Sequence, residues 1–499
     1  MKVTFNIILF LAFLVNMPLE LYSQDGKPQD YLSSDFHKGR REALRAQMPK
    51  NSVAVFFANA VRNRANDVDY VYHQDPNFYY LTGYKEPNAV LVIFSDDQKK
   101  SDGTSYNEIL YVQEKNPMAE MWTGYRLGTE GAKNELGFKE ALTGKDFLQN
   151  GIKFEEFDTV MFKDFQNDYR DSRRDPADLY DLVKSFKNQI NYDESVAQGV
   201  TKTTTKLETD KEQKMPKVSV NVDLQSLGKY MASLREIKTP EEMKLLTKAV
   251  RISAMGQREI MKAMHPGMSE TEIQGVHEYI YKKYGSEYEG YPSIVGAGAN
   301  GCVLHYVENS KTKVGGDLVL MDLGAEYHGY TADVTRTIPA SGTFTNEQKL
   351  IYDLVYEAQE AGIKEAVVGN DFRAPNDAAK KIINEGLVKL GIIDSIDQRH
   401  LYFPHGTSHH IGLDVHDAGL YGPFQSNMVI TVEPGIYIPE GSPCDKKWWG
   451  IAVRIEDDIL ITDEGPINLS AEAPRKSGEI EELMKETSPF GTFEVPKLD

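Results

Sequence analysis

Residues 403–417 read FPHGTSHHIGLDVHD, a glycine-containing stretch in which histidine is concentrated. Four of the 11 histidines of this 499-residue chain fall there: His405, His409, His410 and His416. Imidazole is the commonest metal ligand and a proton carrier at neutral pH, so the cluster predicts a chemical site.

Acidic residues lie inside apolar runs on both sides of that stretch. The runs are LVLMDLGAEYHGYTADVTRT at 318–337, ITVEPGIYIP at 430–439 and IAVRIEDDILIT at 451–462. An unpaired carboxylate buried in such a run would cost several kcal/mol. We therefore expect a cation to hold these acids.

The spacing of the first two acids predicts that they lie opposite each other. Asp322 and Asp333 bracket GAEYHGYT, which predicts a hairpin whose midpoint falls between Tyr327 and His328. Directly opposed residues have Cβ atoms about 4.5 to 5.5 Å apart. Two carboxylates at that separation repel each other unless a cation lies between them.

Two further acids follow strand patterns. Strand alternation places Glu456 on the same face as Arg454, which is expected to keep that carboxylate ionised. Glu433 ends a β-branched run, and the turn at 434–435 would aim its carboxylate out of the sheet end. With His409 the chain offers five candidate ligands, a set that suits two divalent ions about 3.5 to 4 Å apart. Four carboxylates with one imidazole favour Mn²⁺, with Zn²⁺, Co²⁺ or Fe²⁺ as alternatives.

The charge balance and the first residues bear on partners and location. The formal net charge is −19, whereas phosphate binding is driven by clustered Lys and Arg, so a nucleic-acid partner and a membrane-surface role are disfavoured.

Residues 1–23 resemble a secretory signal peptide whose apolar run is too short for a permanent membrane helix. We expect cleavage near Ser23 and a periplasmic or secreted protein with no stable membrane insertion. An uncleaved N-terminal anchor is the alternative.

Pattern and composition divide the chain into two folded units. Residues 31–193 alternate helical and strand signals and predict an α/β domain. Residues 194–234, which include the polar run QGVTKTTTKLETDKEQKMPK, are interpreted as a linker or insertion. Residues 235–475 predict an α+β domain with helices over a mostly antiparallel sheet, and residues 476–499 predict a loosely held tail.

Capping signatures mark three helix starts: Thr239 with Glu242, Ser269 with Glu272, and Thr345 with Gln348. The chain has two cysteines, Cys302 and Cys444, and whether they pair is left open.

Five ordered blocks resemble the aminopeptidase P branch of the "pita-bread" metallopeptidases. They are GCVLHYVEN at 301–309, MDLGAEYHGYTADVTRT at 321–337, HGTSHHIGLDVHD at 405–417, VEPGIY at 432–437 and VRIEDD at 453–458. YHQDPNFYYLTGYKEPNAVLVIF, at 72–94, looks like the non-catalytic N-terminal domain of such enzymes. The resemblance implies an N-terminal α/β domain of the aminopeptidase P type and a C-terminal α+β pita-bread catalytic domain. It also implies a homo-oligomer, a dimer or a tetramer.

The resemblance assigns roles to ten positions. The implied ligands of a dinuclear site are Asp322, Asp333, His409, Glu433 and Glu456, with Asp333 and Glu456 bridging the two ions. The residues that match substrate-handling positions are His305, His405, His416, Tyr437 and Arg454. Catalytic roles are expected for four of the ten: Glu433 as proton shuttle, His305 and His416 as stabilisers of the oxyanion, and Arg454 beside the bridging acid.

The predicted activity is release of the N-terminal residue from peptides whose second residue is proline, by attack of a hydroxide that bridges the two ions. A prolidase, which cleaves only Xaa-Pro dipeptides, is the nearest alternative. A non-catalytic peptide-binding module on the same fold is a further alternative, which the intact ligand set disfavours. A metal-free hydrolase of the creatinase type would be expected to have lost acidic ligands, and none is missing.

Overall fold

The computed structural model describes residue 28 and residues 30–149, 151–165, 168–173, 175–192 and 220–492. Helices and strands are numbered below in chain order over this part of the chain. The expected signal peptide, residues 1–23, lies outside the described residues. No helix within them is long and apolar enough to cross a bilayer.

The N-terminal domain is built on a six-stranded mixed sheet in the order β6-β5-β4-β1-β7-β8. Its strands are β1 Ser52–Phe57, β4 Val90–Lys99, β5 Ser105–Val112, β6 Ala141–Thr143, β7 Thr159–Met161 and β8 Val222–Asp223, with a separate hairpin of β2 Asn63–Ala65 and β3 Val68–Asp69. Its helices are α1 Ser34–Arg45, α2 Pro76–Thr82, α3 Pro117–Thr123, α4 Gly128–Asn134, α5 Gly144–Leu148 and α6 Leu179–Gln189. The central strands β1 and β4 carry Val, Ile and Phe side chains that are almost completely buried, as their β-branched and aromatic composition predicts.

The described end of the expected linker is regular structure, so the prediction of a linker over 194–234 is wrong at its C-terminal end. The strand β8 pairs in parallel with β7, and residues 226–235 form α7, Ser226–Arg235. This helix buries Leu227 and Met231, which lie one turn apart on one face. Residues 193–219, with the Thr- and Lys-rich run, lie outside the described part.

The second domain alternates helix pairs with antiparallel strands, as predicted. Its helices are α8 Pro240–Ala263, α9 Glu270–Lys283, α10 Asn346–Glu365, α11 Ala374–Lys389 and α12 Ser477–Leu483. Its strands are β9 Tyr288–Glu289, β10 Ile294–Ala297, β11 Leu318–Asp322, β12 Ala325–Tyr327, β13 Tyr330–Thr331, β14 Thr335–Pro339, β15 Val429–Val432, β16 Gly435–Ile438, β17 Ile451–Arg454, β18 Asp457–Thr462 and β19 Gly465–Asn468. The strand pairs β10-β11-β14, β13-β12-β9, β15-β18-β19 and β16-β17 are all antiparallel. The helix starts at Thr239 and Thr345 form reciprocal capping boxes.

The prediction of a loosely held tail is wrong for the described residues after 475. The helix α12 buries Ile480 and Leu483, which lie three residues apart and therefore share one face. Ser477 donates to Asp353 at 2.8 Å, and Glu481 accepts from the backbone of Phe344 at 3.0 Å. Apolar burial and these contacts fix the tail against α10. The prediction relied on the acidic composition of the segment and did not take this apolar pair into account.

The two domains share one apolar core, and the segment before α1 also joins them. Tyr79 and Tyr80 of the first domain belong to the same buried cluster as Tyr330 of the second. At the start of the described chain, the carboxylate of Asp30 accepts hydrogen bonds from three groups of the second domain. The donors are Lys248 Nζ at 2.8 Å, the Tyr327 hydroxyl at 2.7 Å and His328 Nε2 at 2.9 Å.

Both cysteines are free thiols in the structure. Burial raises the pKa of Cys302 to about 11, so this thiol is not activated as a nucleophile.

Candidate metal centre

The two aspartates flank a hairpin whose register differs from the prediction by one residue. Tyr327 pairs with Tyr330, so the midpoint lies between His328 and Gly329 rather than between Tyr327 and His328. Both turn residues have positive φ, 51° at His328 and 89° at Gly329, as a type I′ turn requires. Glycine adopts that conformation without strain, and it therefore sets the turn.

The predicted opposition of the two aspartates is wrong, because Asp322 pairs with Thr335 across β11 and β14. The carboxylates nevertheless meet at another residue. The hydroxyl of Tyr291 lies 2.6 Å from Asp322 Oδ1 and 2.6 Å from Asp333 Oδ1. One hydroxyl has one hydrogen and can donate to only one of them, so Tyr291 alone cannot satisfy both carboxylates.

His409 turns one ring nitrogen toward the acids. Its Nδ1 lies 3.0 Å from the carbonyl oxygen of His410 and donates to it, which leaves the Nε2 lone pair free. Nε2 lies 3.5 Å from Asp333 Oδ2 and 3.6 Å from Glu433 Oε1. This is the orientation that an imidazole needs in order to serve as a ligand.

The remaining two acids project from breaks between strands. Glu433 lies between β15 and β16, where its N–H donates to the carbonyl of Thr407 at 2.8 Å. Glu456 lies between β17 and β18, and its Oε2 accepts from the Thr335 hydroxyl at 2.6 Å. One ligand atom each of Asp333, His409 and Glu456 lie within 4.8 Å of one another. The structure therefore brings together all five residues that the sequence proposed as ligands.

The acids of this centre are buried, and their pKa values show the cost of burying them together. Asp333 is 5% exposed and Glu456 is 2% exposed. Burial, and after it the charge of the neighbouring aspartate, raises the pKa of both groups well above their usual range. Burial, and then Glu456, raises the pKa of Glu433 to about 8. Divalent cations would remove this cost, because they favour the ionised carboxylates.

Arg454 is paired with a different acid from the one predicted. Its Nη2 lies 2.5 Å from Asp322 Oδ2, and no ion pair joins it to Glu456 among the described residues. The Thr335 hydroxyl lies between them, accepting from Arg454 Nε at 3.2 Å and donating to Glu456. Strand alternation places both side chains on one side, but β17 ends at Arg454 and the chain leaves the strand before Glu456.

His405 and Tyr437 form a hydrogen-bonded pair next to the ligands. Burial lowers the pKa of His405 to about 4, so the imidazole is neutral at pH 7. Its Nδ1 lies 2.8 Å from the carbonyl of Gly406 and donates to it, which makes Nε2 the acceptor of the Tyr437 hydroxyl at 2.8 Å. Arg454 Nη1 donates to the same hydroxyl at 2.9 Å. The arginine and His405 therefore fix the direction of the Tyr437 O–H.

His416 and His305 lie at the exposed side of the centre. The ring of His416 packs on that of His409, with centroids 4.1 Å apart, and both His416 and His305 are solvent-exposed. Burial, followed by the charge of His409, lowers the pKa of His416. His305 contributes to the same shift, which places it within electrostatic reach of His416. His410, by contrast, is completely buried and packs against Phe372.

Two residues at the centre carry no signal in the sequence. Tyr291 holds both aspartates, and Thr335 connects Arg454 to Glu456. A tyrosine in GYPSI and a threonine in a β-branched run are common structural residues. Their roles depend on where β9, β10 and β14 are placed in three dimensions.

The fold and the buried acidic centre are those of a metallopeptidase, and comparison with known proteins agrees. The model of metallopeptidase family M24 matches residues 244–463, and that of the aminopeptidase P N-terminal domain matches residues 37–153. Xaa-Pro aminopeptidase of Escherichia coli (strain K12) is 36% identical over 89% of this chain and 96% of its own length. Human Xaa-Pro aminopeptidase 3 is 30% identical over 90% and 84%.

Solved structures resemble the whole chain as well. Aminopeptidase P from E. coli with the inhibitor Pro-Leu has a TM-score of 0.78 at 34% identity and covers 91% of this chain and 98% of its own. Aminopeptidase PepP of Pseudomonas aeruginosa has a TM-score of 0.77 at 32% identity, with 91% and 99% covered. The chain therefore belongs to the aminopeptidase P group of metallopeptidase family M24.

Proposed function

We propose that this protein is a metal-dependent Xaa-Pro aminopeptidase that releases the N-terminal residue from peptides with proline in second position. The observation that carries the proposal is the convergence of Asp333, His409 and Glu456 within 4.8 Å in a chain whose relatives are Xaa-Pro aminopeptidases over almost their full length. A proline ring removes the amide N–H and fixes φ, so general peptidases handle such bonds poorly and a dedicated enzyme has a purpose.

The residues present suit two divalent cations. Asp333, Glu433 and Glu456 are buried together with raised pKa values, and among the described residues none of them has a Lys or Arg partner, because Arg454 pairs with Asp322. Asp322, Asp333, His409, Glu433 and Glu456 would hold these ions. An oxygen-rich set with one imidazole favours Mn²⁺. When bound, the ions supply a water of lowered pKa and polarise the substrate carbonyl.

The surrounding side chains have separate proposed roles in catalysis and substrate binding. Glu433 is the proposed proton carrier, because its carboxylate lies at the centre, with Oε1 3.6 Å from His409 Nε2. Exposed His305 and His416 are proposed to donate to the oxygen that becomes negative, a role whose loss typically costs about 10² to 10³ in rate. Arg454 pairs with Asp322 and donates to the hydroxyl of Tyr437, and both side chains are proposed to contact the substrate.

The activity test compares three peptides: Ala-Pro-Ala, Ala-Pro and Ala-Ala-Ala. Purified protein should hydrolyse Ala-Pro-Ala, lose the activity after chelation and regain it with Mn²⁺. Ala-Ala-Ala should be a poor substrate. Cleavage of Ala-Pro alone would indicate a prolidase, and a metal-replete protein inert on every proline peptide would indicate a binding module.

Location, assembly and native metal are further parts of the proposal. We propose export through the signal peptide at residues 1–23 and a homo-oligomeric state, a dimer or a tetramer. N-terminal sequencing of protein from the exported fraction should begin near residue 24, and light scattering of the purified protein should give a multiple of the chain mass. Metal analysis of protein purified without chelators should return about two Mn²⁺ per chain.

A further inference from the structure

A cavity of about 200 Å³ lies between the two domains. Its walls combine residues of the N-terminal domain with Tyr288, Glu326 and Leu413 of the second domain. Ligand sites for drug-sized molecules usually measure about 300 to 1,000 Å³, so this cavity suits a smaller molecule. None of its lining residues belongs to the metal centre.

Four tyrosine rings line the cavity: Tyr31, Tyr72, Tyr79 and Tyr288. Three of their hydroxyls are already used, since Tyr31 donates to Glu287 at 3.1 Å, Tyr72 to Gln74 at 2.9 Å and Tyr288 to the carbonyl of Tyr72 at 3.0 Å. Their rings therefore provide apolar contact area for an aromatic or aliphatic group.

The two carboxylates of the cavity are already paired. Glu326, 4% exposed, accepts from His73 Nε2 at 2.8 and 3.0 Å. This hydrogen bond raises the pKa of His73. Glu287 accepts from both the ring and the backbone N–H of His328, at 2.5 and 2.9 Å. A ligand cation would have to compete with these histidines.

Two hydrogen-bond donors in the cavity lack partners. The Tyr79 hydroxyl makes no hydrogen bond to the described residues, although Tyr79 is only 7% exposed. The ammonium of Lys85 forms no ion pair within the described part of the chain and instead lies 3.3 Å from the ring centroid of Tyr31 and 5.9 Å from that of Tyr79. Desolvation lowers the pKa of Lys85 to about 8, although the charges of Glu287 and Glu326 in the same cavity act in the opposite direction.

We propose that this cavity binds a small molecule with a carboxylate and an aromatic or apolar body, the carboxylate meeting Lys85 and the Tyr79 hydroxyl. The chemistry is that of an α-carboxylate next to an apolar side chain. It occurs in free amino acids and in the C-terminal residue of a peptide. Ligand binding would give Lys85 a direct ion pair and the Tyr79 hydroxyl a hydrogen-bond partner.

Calorimetric titration of the full chain with three probes tests the proposal without any mutation. L-Phenylalanine represents the free amino acid, N-acetyl-L-phenylalanine the peptide C-terminus, and L-phenylalaninamide lacks the carboxylate. At least one of the two acids should bind with one site per chain, and the amide should bind at least about tenfold more weakly. Which acid binds more tightly identifies the source. Absence of binding by both acids at millimolar concentration, or equal binding of the amide, would overturn the proposal.

Variants then locate the site. Lys85→Met and Tyr79→Phe should each weaken binding of the acid, Lys85→Met by roughly tenfold or more. Lys133→Met, which removes an exposed lysine of α4, is the matched control and should leave affinity unchanged. Asp333→Asn, which alters the metal centre, should also leave it unchanged. Binding that survives Lys85→Met but disappears in Asp333→Asn would place the ligand at the metal centre and refute the cavity site.

Discussion

Two neighbouring histidines at the centre differ in burial, which suits them to different proposed roles. His409 is 8% exposed and directs Nε2 at two acids. His416 packs on the same ring but faces solvent, where a substrate can reach it. Removing one imidazole should therefore have a different effect from removing the other.

The first prediction contrasts these two histidines. His409→Ala should lose bound metal together with activity, because one nitrogen ligand is gone. His416→Ala should keep its metal and lose about 10² to 10³ of turnover, because only oxyanion stabilisation is removed. Elemental analysis and kinetics on the same samples measure both quantities. The exposed His265 provides the control substitution, and equal metal loss in both variants would contradict the assignment.

The second prediction concerns Glu433 and pH. Its pKa is about 8 in the metal-free fold and about 4.3 in an unfolded chain, so between these values the folded state binds more protons. Stability of the metal-free protein should fall as pH rises from about 5 to 8, by at most about 1.4 kcal/mol per pH unit for this group. Urea unfolding at several pH values measures the slope. Glu433→Gln should flatten it, and an unchanged slope in that variant would contradict the cause.

The donor set could be predicted from sequence, but its contacts could not. Carboxylates inside apolar runs carry a clear energetic signal, and together with the histidine cluster this was sufficient to propose the five residues that the structure brings together. The partner of Arg454 was predicted incorrectly, since strand alternation gives the side of a sheet but not the residue that lies across from it. Tyr291 had no signal because nothing in its neighbours distinguishes it from a packed tyrosine.

At the scale of secondary structure, the hairpin β12–β13 connects the two aspartate ligands and must close tightly. Gly324 allows this closure, because a Cβ there would lie 2.0 Å from the carbonyl oxygen of Ala332 and 2.6 Å from the ring of Tyr291. The backbone at Gly324, between the proposed ligands, therefore has no room for a larger side chain. Sequence symmetry located the hairpin but placed its centre one residue too early, since the demand for positive φ at Gly329 was not considered.

The third prediction tests this closure. Gly324→Ala should displace the backbone of β13 and the ring of Tyr291, and so weaken metal affinity by at least about tenfold. Gly316→Ala, where a Cβ meets nothing within 4 Å, is the matched control and should bind metal normally. Competition with a chromogenic chelator measures both affinities. Normal metal affinity in Gly324→Ala would show that the hairpin does not position the aspartates.

On the scale of the whole molecule, the domains are joined by a shared core and by charged contacts that cross the boundary. Asp30 pairs with Lys248 at 2.8 Å, and His73 pairs with Glu326. The class of each domain followed from the sequence because periodicity is local. The shared apolar core and the packing of α12 could not be predicted from the sequence, because they depend on contacts between residues far apart in the chain.

The fourth prediction links the metal centre to overall stability. Ions that bind only the folded state at about 100 times their dissociation constant add about 2.7 kcal/mol, which for a chain of this length corresponds to a rise of roughly 3 °C in the unfolding midpoint. Calorimetry before and after chelation measures the difference. Asp333→Asn should show little or no shift on metal addition, and a full shift in that variant would place the stabilising ions elsewhere.

The three hydrogen bonds that Asp30 accepts affect the order in which parts of the protein reach their final positions during synthesis. Asp30 leaves the ribosome early, yet its partner His328 is 298 residues further along the chain, about 15 to 60 s later at common elongation rates. The first domain can collapse while its leading segment still has nowhere to attach. That segment is therefore fastened only after the hairpin of the second domain has emerged, which makes the beginning of the chain one of the last parts to reach its final position.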